Sequence, residues 1–180
     1  MYFDRFGKGQ SEVFCMIERR EGEEALPFDP AELPADAGIV FIGKVEAPWR
    51  GRAECPRNMA AARETGSPAR ALVDASYRRG LAGLDEVSHV VLLTWLGDAG
   101  RNLIVQKPRH RPEPAGTFAL RSPVRPNPIG LHVVKLLDLD AGKGILDLEA
   151  IDVLDGTPLL DIKPYYASTD AVPDATVRRR

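Results

Sequence analysis

Between residues 38 and 162 the chain offers only short β-prone stretches, and a glycine, a proline or a charged turn closes each of them. This cadence leaves little room for a long amphipathic helix and constrains the fold more than any other feature. Residues 38–45 are apolar and β-branched until Pro48-Trp49-Arg50-Gly51 ends the run. Residues 71–75, 87–96, 102–106, 116–120, 131–137, 144–151 and 159–162 read as further strands, and residues 81–87 as one or two helical turns. The run 87–96 is nearly all apolar, the pattern of a strand covered on both faces or of a buried helix. In Leu146-Asp147-Leu148-Glu149 and Val134-Lys135-Leu136 apolar and polar residues alternate, as they do where one sheet face meets water. Residues 57–70 have no clear period and read as a loop. About seven to nine short strands predict an antiparallel all-β sandwich or barrel.

A chain of 180 residues is the size of one domain with one core. The first 36 residues differ in kind. Residues 12–19 place Val13, Cys15 and Ile17 on one side of an extended segment, whereas residues 26–34 hold three prolines and should be irregular. We therefore expect an acidic N-terminal extension over 1–36, a folded domain over 37–175 and a basic tail over 176–180. Cys15 and Cys55 read as reduced thiols of a cytoplasmic protein without a signal peptide. His89, His110 and His132 have no Cys or His at ligand spacing, so no metal site is expected. No apolar run approaches the roughly 20 residues of a membrane span.

The formal net charge of −2 conceals an asymmetry. Arg101, Lys107, Arg109, Arg111, Arg121 and Arg125 stand against Glu113 alone between residues 100 and 130, a local +5, while residues 1–36 carry a local −5. The basic stretch is either a solvated loop or an electropositive patch for phosphate or carboxylate. Within it lies Arg121-Ser122-Pro123-Val124-Arg125-Pro126-Asn127-Pro128-Ile129-Gly130. Its prolines remove backbone donors and fix φ, so it is a rigid extended turn that presents Arg121, Arg125 and Asn127. Further on, Asp155-Gly156 signals a tight turn, and the strand that leaves it places Asp161, Lys163 and Tyr165 on one face. These are either a surface ion pair beside a turn or a functional group.

Dinucleotide, phosphate-loop, zinc-protease and nucleophile-elbow signatures are all missing, which disfavours the common nucleotide folds and hydrolases. What remains is a specific combination. Ile42-Gly43, Pro48, Pro56-Arg57, Gly83-Leu84, Ser88-His89, Phe118-Ala119-x-Arg121-Ser122-Pro123-x-Arg125-Pro126-Asn127-Pro128-Ile129-Gly130 and Asp155-Gly156-Thr157-Pro158-x-x-Asp161-Ile162-Lys163-Pro164-Tyr165 closely resemble the TsaA-like (YaeB/TrmO) proteins, from about residue 38 to residue 175.

The resemblance implies a mostly β fold, a single antiparallel β-barrel with short helices and an N-terminal extension. It also implies S-adenosylmethionine as cofactor, a homodimer, and a methyltransferase acting on N6 of N6-threonylcarbamoyladenosine at position 37, in the anticodon loop of tRNA. Carried over by motif, Pro56, Arg57, Asn58, Gly97, Asp98, Arg121, Leu131, Asp155, Gly156 and Thr157 would line the cofactor pocket. Arg125, Asn127, Asp161, Lys163 and Tyr165 would orient the acceptor or move its proton, and His89 would be a hydrogen-bonded structural residue. The chain departs from the family at two places in this pocket: Asn58 stands where Gln is usual, and Gly97-Asp98 where tRNA-modifying relatives often carry His-Gln. Some bacterial relatives also continue into a further C-terminal domain, and the acidic N-terminal arm would repel phosphates unless it faces away. Two rivals stay open: a methyltransferase for a small-molecule acceptor, and a noncatalytic S-adenosylmethionine-binding module.

Overall fold

The computed structural model describes residues 19–109 and 111–177. Cys15, His110, residues 178–180 of the tail and all but the last residue of the segment expected over 12–19 lie outside the described residues. The strands are β1 (Glu24–Ala25), β2 (Gly43–Glu46), β3 (Ala69–Val73), β4 (His89–Trp95), β5 (Leu103–Gln106), β6 (Ala115–Gly116), β7 (Ile129–Asp140), β8 (Ile145–Leu148) and β9 (Pro158–Pro164). Two short α-helices, α1 (Met59–Glu64) and α2 (Ala167–Asp170), accompany 3-10 turns at Ala75–Leu81, Leu84–Glu86 and Thr117–Ala119. The chain divides into two compact units, one of Met1–Glu32 with Gly100–Pro126, the other of Leu33–Ala99 with Asn127–Arg180.

The larger unit is a closed antiparallel barrel in the order β2-β3-β8-β7-β4-β9, closed because β2 pairs with both β3 and β9. Gly43 permits the β2–β3 approach, since a Cβ there would lie 1.9 Å from the Leu72 carbonyl oxygen. Val45, Ala71, Val90, Leu92, Val134, Leu146, Leu148 and Leu159 have no exposed surface and fill the interior. Every second residue points inward, so β4 buries Val90, Leu92 and Thr94. Val91, Leu93 and Trp95 are half-buried on its outer face, opposite Val133, Leu131 and Ile129 of β7. The strand expected to be covered on both faces is thus covered on one, and its apolar outer face is continuous with Ile129 and Leu131, 47% and 48% exposed. β7 outruns the expected 131–137 because its first half pairs with β4 and its second half with β8.

Three local expectations are corrected. Residues 57–70 are not a loop: they contain α1 and the first residues of β3. Asn58 Oδ1 accepts from the Ala61 amide at 2.9 Å and caps a helix too short to display a period. The strand expected over 38–45 begins only at Gly43, and Ile39, Val40 and Phe41 are exposed. The strand expected over 116–120 is a 3-10 turn after the two-residue β6, pinned by buried Thr117, whose hydroxyl donates to the Leu103 carbonyl at 2.8 Å.

The smaller unit is built on a sheet of order β1-β5-β6. Gln106 Nε2 donates to Thr117 Oγ1 at 2.8 Å and to the Val124 carbonyl at 2.6 Å, fixing the start of the proline-rich segment. The Glu23 carboxylate accepts from the backbone amides of Arg20 and Lys107, each at 3.0 Å. Partial burial pushes its pKa up, but these two amides and the Arg20 charge outweigh that and hold it below the usual glutamate value.

Candidate functional site

Three connecting segments of the barrel unit are stitched together at one barrel end, and the stitching uses side chains that the turns themselves supply. The first segment follows β2, the second follows β4 and the third joins β8 to β9. Trp49 Nε1 donates to the Ile151 carbonyl at 2.8 Å, and the Asp155 amide returns a bond to the Trp49 carbonyl at 2.8 Å. Asp155 Oδ1 accepts from the Ala47 amide at 3.1 Å, and its Oδ2 accepts from Arg50 Nη1 at 2.8 Å. The Glu54 carboxylate holds the next turn, accepting from the amides of Arg50 and Gly51. Arg52 Nη2 then reaches the Asp98 carbonyl at 2.9 Å, which ties the first segment to the corner after β4.

The residues singled out for a cofactor divide accordingly. Pro56, Arg57 and Asn58, Gly97 and Asp98, and Asp155, Gly156 and Thr157 occupy these three segments, while Leu131 lies on the outer face of β7. Gly97 sits tightly against its neighbour: a Cβ would stand 3.1 Å from the Trp95 ring, which would have to give by a few tenths of an ångström. Thr157 is buried and its hydroxyl donates to the Leu154 carbonyl at 2.7 Å; Gly156 adopts φ +79°, and its amide donates to the Val45 carbonyl at 2.9 Å. Asn58 Oδ1, both Asp155 oxygens and the Thr157 hydroxyl are therefore engaged in shaping the turns, whereas Arg57 and the Gly97-Asp98 corner are exposed.

The remaining residues lie elsewhere. Arg121, exposed, and Arg125 belong to the smaller unit, where Arg125 Nη1 donates to the carbonyls of Leu120 and Ser122 and braces its own loop. Asn127 opens the barrel unit's second stretch, and its carbonyl accepts from the Ile129 amide at 2.8 Å. Asp161 and Lys163 share one face, as their spacing predicts, and form an ion pair with each other at 2.7 Å. Their register partners are Leu93 and Val91 of β4. The Tyr165 ring tilts against His89 at a centroid distance of 6.4 Å.

A buried polar chain went unnoticed in the sequence. His132 points inward from β7, with Nδ1 2.7 Å from Asp152 Oδ1 and Nε2 3.0 Å from Thr94 Oγ1. An ionised Asp152 can only accept, so Nδ1 donates to it, and in the neutral ring Nε2 accepts the Thr94 hydroxyl proton. The signal was parity: with Gly130 and Val134 facing inward, His132 must too. Cys55 is close enough to feel the same carboxylate; burial pushes its thiol pKa up, and the charges of Asp152 and Glu54 push it further. Among the described residues no group of three or more His, Cys, Asp or Glu is arranged to hold a metal, and no helix is long and apolar enough to cross a membrane.

Residues 44–171 match the tRNA-methyltransferase O N-terminal domain. The chain is similar to the probable S-adenosyl-L-methionine-binding protein VirR of Rhizobium radiobacter, 38% identical over 129 residues that cover 72% of this chain and 71% of that one. It is similar also to an S-adenosyl-L-methionine-binding protein of Archaeoglobus fulgidus, 34% identical over 131 residues, 73% of this chain and 91% of that one. Among solved structures it resembles TrmO from Pseudomonas aeruginosa with a TM-score of 0.64 and 33% identity, covering 79% of this chain. It spans only 62% of that TrmO chain. With its closed antiparallel barrel and a match over most of its length, this chain belongs to the tRNA-methyltransferase O N-terminal domain family.

Proposed function

We propose that the protein is an S-adenosylmethionine-dependent methyltransferase that methylates N6 of N6-threonylcarbamoyladenosine at position 37 of tRNA, working as a homodimer in the cytoplasm. One observation carries the reading: the positions that the resemblance assigns to the cofactor, residues 56–58, 97–98 and 155–157, fall on three segments that direct hydrogen bonds draw together at one barrel end. The residues present suit the cofactor's chemistry. Exposed Arg57 can meet a carboxylate, and the backbone of the Gly97-Asp98 corner and of the Asp155-Gly156-Thr157 turn can meet amino and hydroxyl groups.

S-adenosylmethionine supplies an electrophilic methyl group on a sulfonium that carries its own leaving group. The chain's residues have then to align the acceptor nitrogen with that methyl, keep water out and take up the proton the nitrogen releases. Trp49, Arg50 and Asp155 hold the turns rigid for that alignment. The roles of Asp161, Lys163, Tyr165 and Asn127 toward the acceptor and its proton, and those of Arg121 and Arg125, rest on the family resemblance alone; Tyr165 sits beside His89 at the start of β4, the opposite end of that strand from the Gly97-Asp98 corner. Exposed Arg109 and Arg111 suit the phosphates of an anticodon loop, and the apolar outer face formed by Trp95, Ile129 and Leu131 suits a second copy of the chain.

The test is methyl transfer from labelled S-adenosylmethionine to total tRNA from cells with and without the threonylcarbamoyl modification. Label appearing only in modified tRNA is the expected result. Cofactor binding without label in either tRNA would overturn the acceptor assignment in favour of a small-molecule acceptor or a noncatalytic module.

A further inference from the structure

His132 is 5% exposed, and it lies between the end of β4 and the segment that runs into β9, whose Leu159 is the register partner of Thr94. Thr94 belongs to β4, three residues before Gly97 of the corner that carries Gly97 and Asp98; Asp152 belongs to the segment that leads into Asp155, Gly156 and Thr157. The imidazole bridges them with bonds of 3.0 and 2.7 Å. Gly130 makes room for it, since a Cβ there would stand 2.5 Å from His132 Nε2. A glycine next to an inward imidazole, with a buried hydroxyl and a part-buried carboxylate aimed at its two nitrogens, makes a built polar chain.

We propose that His132 is a positioning residue: through its bond to Asp152 it ties residues 152–157 to β7, beside the end of β4, and thereby sets the cofactor affinity of this barrel end. That residues 152–157 meet S-adenosylmethionine rests on the reading above; the tie itself does not. The two bonds can be cut separately. The side-chain amide of Asn superposes on Nδ1 and keeps the bond to Asp152, whereas that of Gln superposes on Nε2, keeps the bond to Thr94 and leaves the Asp152 carboxylate without its donor.

The experiment is amide hydrogen exchange of the full chain without cofactor, for wild type, His132→Gln and His132→Asn, followed by calorimetric titration of each with S-adenosylmethionine. Residues 152–157 should exchange about tenfold faster in His132→Gln and within about twofold of wild type in His132→Asn, with the β3 and β8 amides unchanged in both. S-adenosylmethionine should bind about tenfold more weakly to His132→Gln, with His132→Asn restoring most of the loss. Equal exchange in the two variants, or exchange in His132→Gln like that of wild type, overturns the tie. Selective loosening with unchanged affinity overturns its link to the cofactor. A wild type that binds no S-adenosylmethionine refutes the cofactor reading, while the exchange arm still decides the tie. If His132→Gln does not fold, Asp152→Ala cuts the same bond from its other end: faster exchange over 153–157 supports the proposal, and unchanged exchange overturns it.

Discussion

Gly130 and Thr94 oppose each other across the β4–β7 ladder so closely that a Cβ on Gly130 would stand 2.4 Å from Thr94 Oγ1. Gly130→Ala therefore overpacks the barrel interior against Thr94 and His132. We expect a loss of about 1–3 kcal/mol in urea denaturation, with the m-value unchanged because the barrel still forms.

Arg50 and Asp155 make a 2.8 Å ion pair, but the two residues are unequal. The Arg50 side chain is 80% exposed, so Arg50→Ala should change stability by less than about 1 kcal/mol. Asp155→Ala also strips the acceptor from the amide of buried Ala47 and should cost about 1–3 kcal/mol. Chemical denaturation of the two variants side by side checks the ranking.

The raised thiol pKa of Cys55 leaves less thiolate at mildly alkaline pH than an ordinary cysteine has. Alkylation by iodoacetamide at pH 8, followed on the Cys55 peptide by mass spectrometry, should be slow. Glu54→Gln keeps the oxygen that the Arg50 and Gly51 amides need but removes the charge, so it should speed the reaction.

Glu23 gives the smaller unit an acid-sensitive point. Its folded pKa lies below its unfolded one, so the stabilisation is fully present above the unfolded value and is lost as pH falls through the folded value. The amide shifts of Arg20 and Lys107 should move together over that range, below the usual glutamate pKa. In Glu23→Gln both profiles should be flat.

For the cofactor, Arg121→Ala should weaken S-adenosylmethionine binding by about 10- to 100-fold, the size of a lost charge-assisted bond. Unchanged affinity in calorimetry would remove Arg121 from the cofactor site.

The barrel was legible because its strands carry their own punctuation. The apolar run at β4 and the alternation at β8 need no partner to be recognised. What escaped notice depends on neighbours. α1 is six residues of Met-Ala-Ala-Ala-Arg-Glu, too short for a period, and only the Asn58 cap marked its start. Thr117 turns the chain out of β6 through bonds to Leu103 and Gln106, 14 and 11 residues away. The motif segments at the barrel end were found, but what holds them together was not: Trp49 reaches Ile151 across 102 residues, and Arg50 reaches Asp155 across 105. In the sequence His132 reads only as a histidine without a metal-ligand partner. Its partners, Thr94 and Asp152, are 38 and 20 residues distant, and only the inward register of β7 hinted at it.

Closure of the barrel has a consequence for how copies of the chain can meet. A sheet that ends in free strands offers a ladder of unpaired backbone groups on which another chain can polymerise. Here β2 is bonded on both sides, and the outermost strands of the small sheet, β1 and β6, are two residues each. Among the described residues, association at high concentration is therefore left to side-chain surfaces, since no long strand edge is open to strand addition.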